Sequence, residues 1–94
     1  MFFLKEEHKV AVVTCIEIAL MRRGDVNYNL VLFKLKTLYN CKIKDCLDHL
    51  EYLRMVLKEV YKQDYDFVLK DITWEFEALE LNGFKSKFCE FMAN

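Results

Sequence analysis

Proline is absent from this 94-residue chain, and glycine occurs only twice, at Gly24 and Gly83. Because these two residues interrupt helices most strongly, their scarcity favours an all-helical protein. An excess of charge of one sign is also lacking, since 14 Lys and Arg nearly balance 15 Asp and Glu to a net charge of −1. A balanced charge provides no general attraction to nucleic acid or to an anionic membrane.

A hydrophobic run long enough to cross a membrane is lacking as well. The most apolar stretch, residues 10–21, has twelve residues, whereas a membrane-spanning helix needs about 20. The apolar start of the chain is not typical of a signal peptide, because Lys5, Glu6 and Glu7 interrupt it. We therefore expect a cytoplasmic protein without membrane contact, whose four cysteines are reduced.

Apolar side chains are abundant and make up 54% of the residues. They are most concentrated in residues 10–21, where ten of the twelve side chains are apolar and Glu17 is the only charge. A helix that is apolar on nearly every side must be covered by other helices or by a second copy of the chain. This stretch therefore indicates a helical bundle with a large apolar surface.

The spacing of the apolar residues predicts where the helices lie. Stripes with i, i+3, i+4 and i+7 spacing are typical of helices that pack against a core. They predict four main helices at residues 4–23, 25–40, 48–63 and 64–81, and a short C-terminal helix at residues 84–92. Gly24, Asn40 and the Asn82-Gly83 pair are the expected interruptions.

Polar residues at the predicted helix starts are candidates for N-terminal caps. Either Asp25 or Asn27 is expected to cap helix two, and Asp64 is expected to cap helix four. Asp48 and Glu51 have the spacing of a capping box, which predicts that Asp48 caps helix three.

The predicted fold is all-α, a compact bundle of four main helices plus a short C-terminal helix in one domain, residues 1–94. A chain of this length can bury a core without a disulfide or a metal ion. The predicted core consists of the apolar residues on the inner stripes: Val13, Ile16, Leu20, Leu32, Leu35, Leu53, Val56, Leu57, Val60, Val68, Leu69, Ile72 and Phe76.

The C-terminal third carries more apolar surface than one core requires. Aromatic residues are enriched in interface cores, and large exposed apolar patches mark partner sites. We therefore predict a non-enzymatic protein-interaction or regulatory module that self-associates as a homodimer, the commonest closed oligomer. The alternative is that the last helix folds back over helix four and buries these side chains within the chain. The predicted interface residues are Phe67, Trp74, Leu81, Phe84, Phe88 and Phe91.

The segment between helices two and three contains Cys41, Cys46 and His49, which suggests a metal- or thiol-based sensor as an alternative function. Thiolates and imidazole are zinc ligands, and zinc usually takes four of them. If the connector is irregular, Cys41 and Cys46 can also meet as a thiol switch. The simpler interpretation is two half-buried thiols beside a surface histidine, with no cofactor. A fourth zinc ligand has to come from elsewhere in the chain: His8, Cys15 or Cys89.

A cluster of lysines around the same connector suggests a nucleic-acid-binding domain as a second alternative. The cluster consists of Lys34, Lys36, Lys42 and Lys44. However, Asp45, Asp48 and Glu51 follow at the start of helix three and are expected to repel phosphate, so we expect no nucleic-acid partner. A glycine-rich phosphate loop, a nucleophile elbow and a His-Glu-x-x-His motif are all absent from the sequence, and we predict that the protein is not an enzyme.

The central segment, residues 38–72, reads LYNCKIKDCLDHLEYLRMVLKEVYKQDYDFVLKDI. Its YNC…DC turn, its D-H-x-E-Y-L helix start and its VLKxVY…Y..V..I pattern resemble a group of small, uncharacterised helical proteins and output-type domains of ammonia-oxidising archaea. The resemblance implies a regulatory or interaction role and provides no catalytic residues. One departure is Lys62-Gln63, where such domains often have glycine. We expect this substitution to lengthen helix three.

Overall fold

Five α-helices account for most of the structure, a computed structural model that describes residues 6–93. Two 3₁₀ turns, Asp45–Leu47 and Lys62–Asp64, precede α3 and α4, and no strand occurs in the described range. The predicted all-α fold of four main helices and a short C-terminal helix is confirmed, while residues 4 and 5 of the predicted first helix lie outside the described residues. The helices are α1 (Glu6–Arg22), α2 (Asp25–Tyr39), α3 (Leu50–Tyr61), α4 (Tyr65–Ala78) and α5 (Asn82–Met92).

The helices close into a ring around one core. α1 lies between α2 and α4 and packs against both. α3 packs against α2 on one side and against α4 and α5 on the other, and α5 also packs against α4. All five helices contribute to the core, whose largest fully buried side chains include Phe76, Phe88, Ile16, Leu20, Leu35 and Leu53.

The predicted core is largely confirmed. Nine of the thirteen predicted residues are buried. The other four, Val13, Leu32, Val60 and Leu69, are only partly buried and pack against the edge of the core. The apolar stripes thus give the direction of each inner face correctly, but the width of the buried strip depends on where neighbouring helices lie.

α1 and α2 end as predicted. Gly24 follows α1 with φ 120°, which favours glycine because it has no side chain. Asn40 ends α2 in the left-handed conformation, with φ 50° and ψ 45°. The N–H groups of Asn40 and Cys41 donate to the carbonyl oxygens of Lys36 and Leu35 at 3.0 and 3.3 Å. These hydrogen bonds satisfy carbonyl groups that the end of a helix otherwise leaves without partners.

Two of the predicted N-terminal caps are wrong. α2 begins at residue 25 as predicted, but its N-cap is Gly24 rather than Asp25 or Asn27, and α3 begins after His49 rather than after Asp48. Asp48 instead ends the first 3₁₀ turn, where its N–H donates to the carbonyl oxygen of Asp45 at 3.2 Å. Asp64 precedes α4 as predicted, although its side chain makes no capping hydrogen bond. The spacing of a capping box does not distinguish a helix start from a 3₁₀ turn two residues earlier.

The expectation that Lys62-Gln63 lengthens α3 is also wrong. α3 ends at Tyr61, and Lys62 turns the chain with φ 51° and ψ −118°. This positive φ favours glycine, so the lysine adopts it at a conformational cost. Tyr61 and Tyr65 are buried on either side of the turn, and their packing holds the chain in this conformation.

α4 ends at Ala78, earlier than predicted, through a left-handed residue that the sequence does not mark. Glu80 has φ 57°, and the N–H groups of Glu80 and Leu81 donate to carbonyl oxygens of α4 at 3.0 and 2.9 Å. This is the Schellman pattern, in which an apolar residue after the cap packs back on the helix. The Asn82-Gly83 pair, which was predicted to interrupt the helix, instead begins α5.

Candidate functional site

Phe84 and Phe88, two of the predicted interface residues, lie inside the core, so the prediction that they anchor an interface is wrong. Phe88 is 0% exposed and Phe84 is 7% exposed. Their rings and that of Phe76 meet with centroid distances of 5.2 to 5.8 Å, two of the three pairs edge to face. Such contacts between aromatic rings are favourable. α5 therefore folds back over α4, which is the alternative that the sequence left open.

Leu81 and Phe91 also serve the packing of the chain itself. Both are partly buried and contact the core. Leu81 follows the left-handed cap of α4, while the ring of Phe91 lies under the guanidinium of Arg54, 4.6 Å from the ring centroid. Arg54 Nη1 also donates a hydrogen bond to the Phe91 carbonyl oxygen at 3.1 Å. Their remaining exposed surface is too small to serve as the centre of an interface.

Phe67 and Trp74 are the predicted interface residues that the structure leaves exposed, at 56% and 60% of their surface. Trp74 lies beside α1, because the guanidinium of Arg22 is 5.8 Å from the centroid of its ring. Arg22 Nη1 also forms an ion pair with the buried Glu75 carboxylate at 2.5 Å, which fixes α1 against α4. The exposed part of the predicted aromatic face is therefore continuous with α1 rather than with α5.

Most of the exposed large apolar side chains lie on α1 and α2. Residues 6–93 include eleven exposed large apolar side chains, and seven of these belong to α1 and α2. Within the part of the chain that the structure describes, other helices therefore cover the inner side of α1 and leave its outer side exposed. We call this surface the hairpin face and define it by six residues: Val10, Ile18, Met21, Val26, Leu30 and Phe33.

The sequence also contains a signal for the part of the hairpin face that lies on α2. Val26, Leu30 and Phe33 have i, i+4, i+7 spacing, so they form a second apolar stripe on the side of α2 nearly opposite the buried stripe of Val31 and Leu35. Two apolar stripes on one helix indicate two covered sides. Other helices in residues 6–93 cover only one of these sides.

The connector after α2 brings Cys41 and Cys46 together. Their Sγ atoms lie 3.3 Å apart, and both are free thiols. The turn that achieves this is held by the Asp45 carboxylate, which accepts a hydrogen bond from the Lys42 N–H at 3.0 Å. The N–H of Cys46 donates to the carbonyl oxygens of Lys42 and Ile43 at 3.2 and 3.0 Å. The sequence predicts that the two thiols can meet only if the connector is irregular, and the connector does form an irregular turn.

The zinc alternative receives no geometric support. Nδ1 of His49 lies 3.6 Å from a Glu51 carboxylate oxygen, and its ring stacks on Tyr52 with 5.1 Å between centroids. Cys15 donates from its thiol to the Glu75 carbonyl oxygen at the seam between α1 and α4. In residues 6–93, no three His, Cys, Asp or Glu side chains form a group suited to hold a metal ion.

A groove of about 540 Å³ opens beside the thiol pair. Val13 and Glu17 of α1 form one wall, Leu32 and Lys36 of α2 form another, and the connector closes it. Cys41 lines the groove and is half-buried, whereas Cys46 is fully buried. The groove therefore gives small molecules access to one of the two thiols.

Carboxylates are interleaved with the lysine cluster. Lys34 forms an ion pair with Glu59 at 2.7 Å, and Lys44 forms one with Glu6 at 3.0 Å. Lys36 and Lys42 line the groove together with Glu17 and Asp45. This mixture of signs offers no stripe of positive charge along which a phosphate backbone binds.

Comparison with protein-family models, with curated proteins and with solved structures finds no match for this chain. Within residues 6–93, every helix is too short or too polar to cross a membrane. The resemblance of residues 38–72 to helical proteins of ammonia-oxidising archaea stays a prediction.

Proposed function

We propose that this protein is a non-enzymatic interaction module that forms a homodimer through the hairpin face, with Trp74 and Phe67 at its edge. The observation that carries the proposal is the outer side of α1, which remains apolar and uncovered in the described chain. Exposed apolar patches of this kind are characteristic of protein interfaces. The proposed interface therefore retains Phe67 and Trp74 from the predicted interface residues, and its centre lies on α1 rather than on α5.

The distribution of charge along α1 favours a second copy as the occupant. The first turn of α1 contains the exposed Glu6 and Glu7, and its last turn contains the exposed Arg22. When two copies of α1 pack antiparallel around a two-fold axis, the acidic end of each helix lies beside the basic end of the other. Glu6 and Arg22 also form ion pairs within the chain, with Lys44 and Glu75, so these opposite charges favour the antiparallel orientation and do not by themselves fix the register of the pair.

The small side chains at the middle of α1 suit a close crossing of two helices. Thr14 is exposed, and Ala11 one turn earlier is partly buried. In this arrangement the crossing lies near Thr14, and Ile18 and Val10 pack on either side of it. Because α1 lies between α2 and α4, Phe33 and Trp74 extend the contact sideways.

The test is the mass of the native particle. We expect the wild-type chain at tens of micromolar to have the mass of a dimer by light scattering and native mass spectrometry. Ile18→Glu should give a folded monomer, because it places an unpaired carboxylate against Val10 of the second copy, where the carboxylate loses water. Trp74→Glu, at the edge of the interface, should weaken the dimer by a smaller factor.

Met55→Glu is the matched control, since Met55 is 55% exposed on α3 and lies outside the hairpin face. It should remain a dimer. A monomeric wild-type chain, or a dimer that Ile18→Glu leaves intact, contradicts the proposal. Circular dichroism on each variant separates loss of association from loss of fold.

The proposed role is regulatory and cytoplasmic. Residues 38–72 support the regulatory part through their resemblance to output-type domains, and the free thiols suit a reducing compartment. The proposal includes no catalytic residue and no cofactor.

A further inference from the structure

The two thiols of the connector differ in their exposure to solvent, and core packing alone does not require this difference. Cys41 is half-buried and lines the groove, whereas Cys46 is 0% exposed directly behind it. An accessible thiol 3.3 Å from a protected one is the arrangement found when a first thiol reacts and a second resolves the product.

We propose that Cys41 and Cys46 form a reversible redox pair whose oxidant is a small hydroperoxide entering through the groove. The Cys41 thiolate attacks one oxygen of the peroxide, which gives Cys41 sulfenic acid and releases hydroxide or alkoxide. The Cys46 sulfur then attacks the sulfenic sulfur, its proton leaves with the hydroxyl group as water, and an S–S bond forms. The balance is two thiols and one hydroperoxide to one disulfide, one water and one water or alcohol.

The environment of each thiol supports this order of events. Burial raises the pKa of the Cys46 thiol above its usual range, and the neighbouring Cys41 and the carboxylates of Asp45 and Glu51 raise it further. Cys46 is therefore a poor nucleophile toward free peroxide, and it reacts only with the sulfenic sulfur that forms beside it. Forming a disulfide requires the sulfur atoms to approach to about 2.05 Å. The required movement is small because the turn already holds the two side chains together.

Cys15 and Cys89 lie apart from this pair and provide internal controls. Cys15 is buried, and its thiol donates to a carbonyl oxygen of α4. Burial, and secondarily the Glu75 carboxylate, raise the pKa of the Cys15 thiol, which makes it unreactive. Cys89 is half-buried on α5.

The experiment is oxidation of the reduced full-length chain with one equivalent of hydrogen peroxide, followed by intact mass measurement and thiol counting. We expect a loss of roughly 2 Da, the mass of two hydrogen atoms, and two remaining free thiols of the original four. Lys42 and Lys44 lie between the two cysteines, so trypsin separates them. The disulfide should therefore join tryptic peptides 37–42 and 45–54, and dithiothreitol should separate them.

Two variants make the test decisive. Cys46→Ser should stop at Cys41 sulfenic acid, which dimedone captures as a stable adduct, and Cys41→Ser should form no cross-link. A Cys15→Ser/Cys89→Ser variant should oxidise like the wild type. Retention of four thiols, or cross-links that join other cysteines, overturns the proposal. Neither result bears on the dimer, because light scattering on reduced protein measures association separately.

Discussion

At the scale of single residues, two buried tyrosines close together in the chain have different hydrogen bonding. Tyr65 donates from its hydroxyl to the carbonyl oxygen of Met92 at 2.8 Å, which ties the end of α5 to the start of α4. Burial is the main reason that the pKa of Tyr65 rises to about 12. The Tyr61 hydroxyl is also buried, but within residues 6–93 it has no hydrogen-bond partner.

This difference predicts opposite outcomes for the same substitution. Tyr65→Phe removes a hydrogen bond and leaves the Met92 carbonyl oxygen unsatisfied, so we expect the free energy of unfolding to fall by about 1 kcal/mol. Tyr61→Phe removes only an unpaired hydroxyl and should leave stability unchanged or slightly higher. Urea denaturation of both variants at equal protein concentration measures the difference. Equal losses in the two variants contradict this hydrogen-bonding assignment.

Three residues with positive φ differ in how well a local sequence pattern predicts their conformation. Asn40 was predicted as a left-handed helix end because asparagine tolerates that conformation. Lys62 and Glu80 adopt positive φ although their side chains disfavour it. Their conformation follows from the packing of the flanking helices, which a local pattern does not contain. The meeting of Cys41 and Cys46 depends in the same way on a turn that is set by its neighbours.

At the scale of helices, α5 illustrates how a buried side chain and an interface side chain look alike in a sequence. Phe88 and Phe67 were both predicted as interface anchors. Phe88 is fully buried because α5 folds over α4, whereas Phe67 is 56% exposed. Apolar spacing shows that a side of a helix is covered, but it does not show whether the same chain or another chain covers it.

The pair provides a test of how α5 docks. Phe88→Ala leaves a cavity among the rings of Phe76 and Phe84 and should lower the free energy of unfolding by about 3–5 kcal/mol. Phe67→Ala should lower it by less than about 1 kcal/mol, because little apolar surface is buried there. Both are best measured by urea denaturation in chains that also carry Ile18→Glu, so that association does not contribute. A similar loss for both would show that α5 does not bury Phe88.

The hairpin formed by α1 and α2 shows the converse case. The sequence predicts that residues 10–21 are too apolar for a surface helix. This prediction is confirmed for the inner side of α1, where Val12, Ile16 and Leu20 are buried. For the outer side of α1, the sequence predicts a cover that consists either of other helices or of a second copy of the chain. Within residues 6–93, Val10 stays 58% exposed and Ile18 36% exposed, and a second copy is the proposed cover for this remaining surface.

At the scale of the whole molecule, self-association and folding are coupled. A partner that binds only the folded chain stabilises it by mass action. If the hairpin face closes a dimer, the melting temperature of the wild-type chain should rise with protein concentration. For a dimer of chains this size that unfolds and dissociates together, a tenfold increase in concentration should raise Tm by about 4 °C.

The variants of the hairpin face make this measurement specific. Ile18→Glu should melt at a temperature that is independent of concentration, whereas Met55→Glu should follow the wild type. Calorimetry under reducing conditions over a hundredfold range of concentration gives the slope, and reduction keeps the Cys41–Cys46 pair from contributing. A wild-type Tm that does not change over this range would mean that the apolar side of α1 is stable in water without a second copy. The interface would then have to be assigned to a different protein.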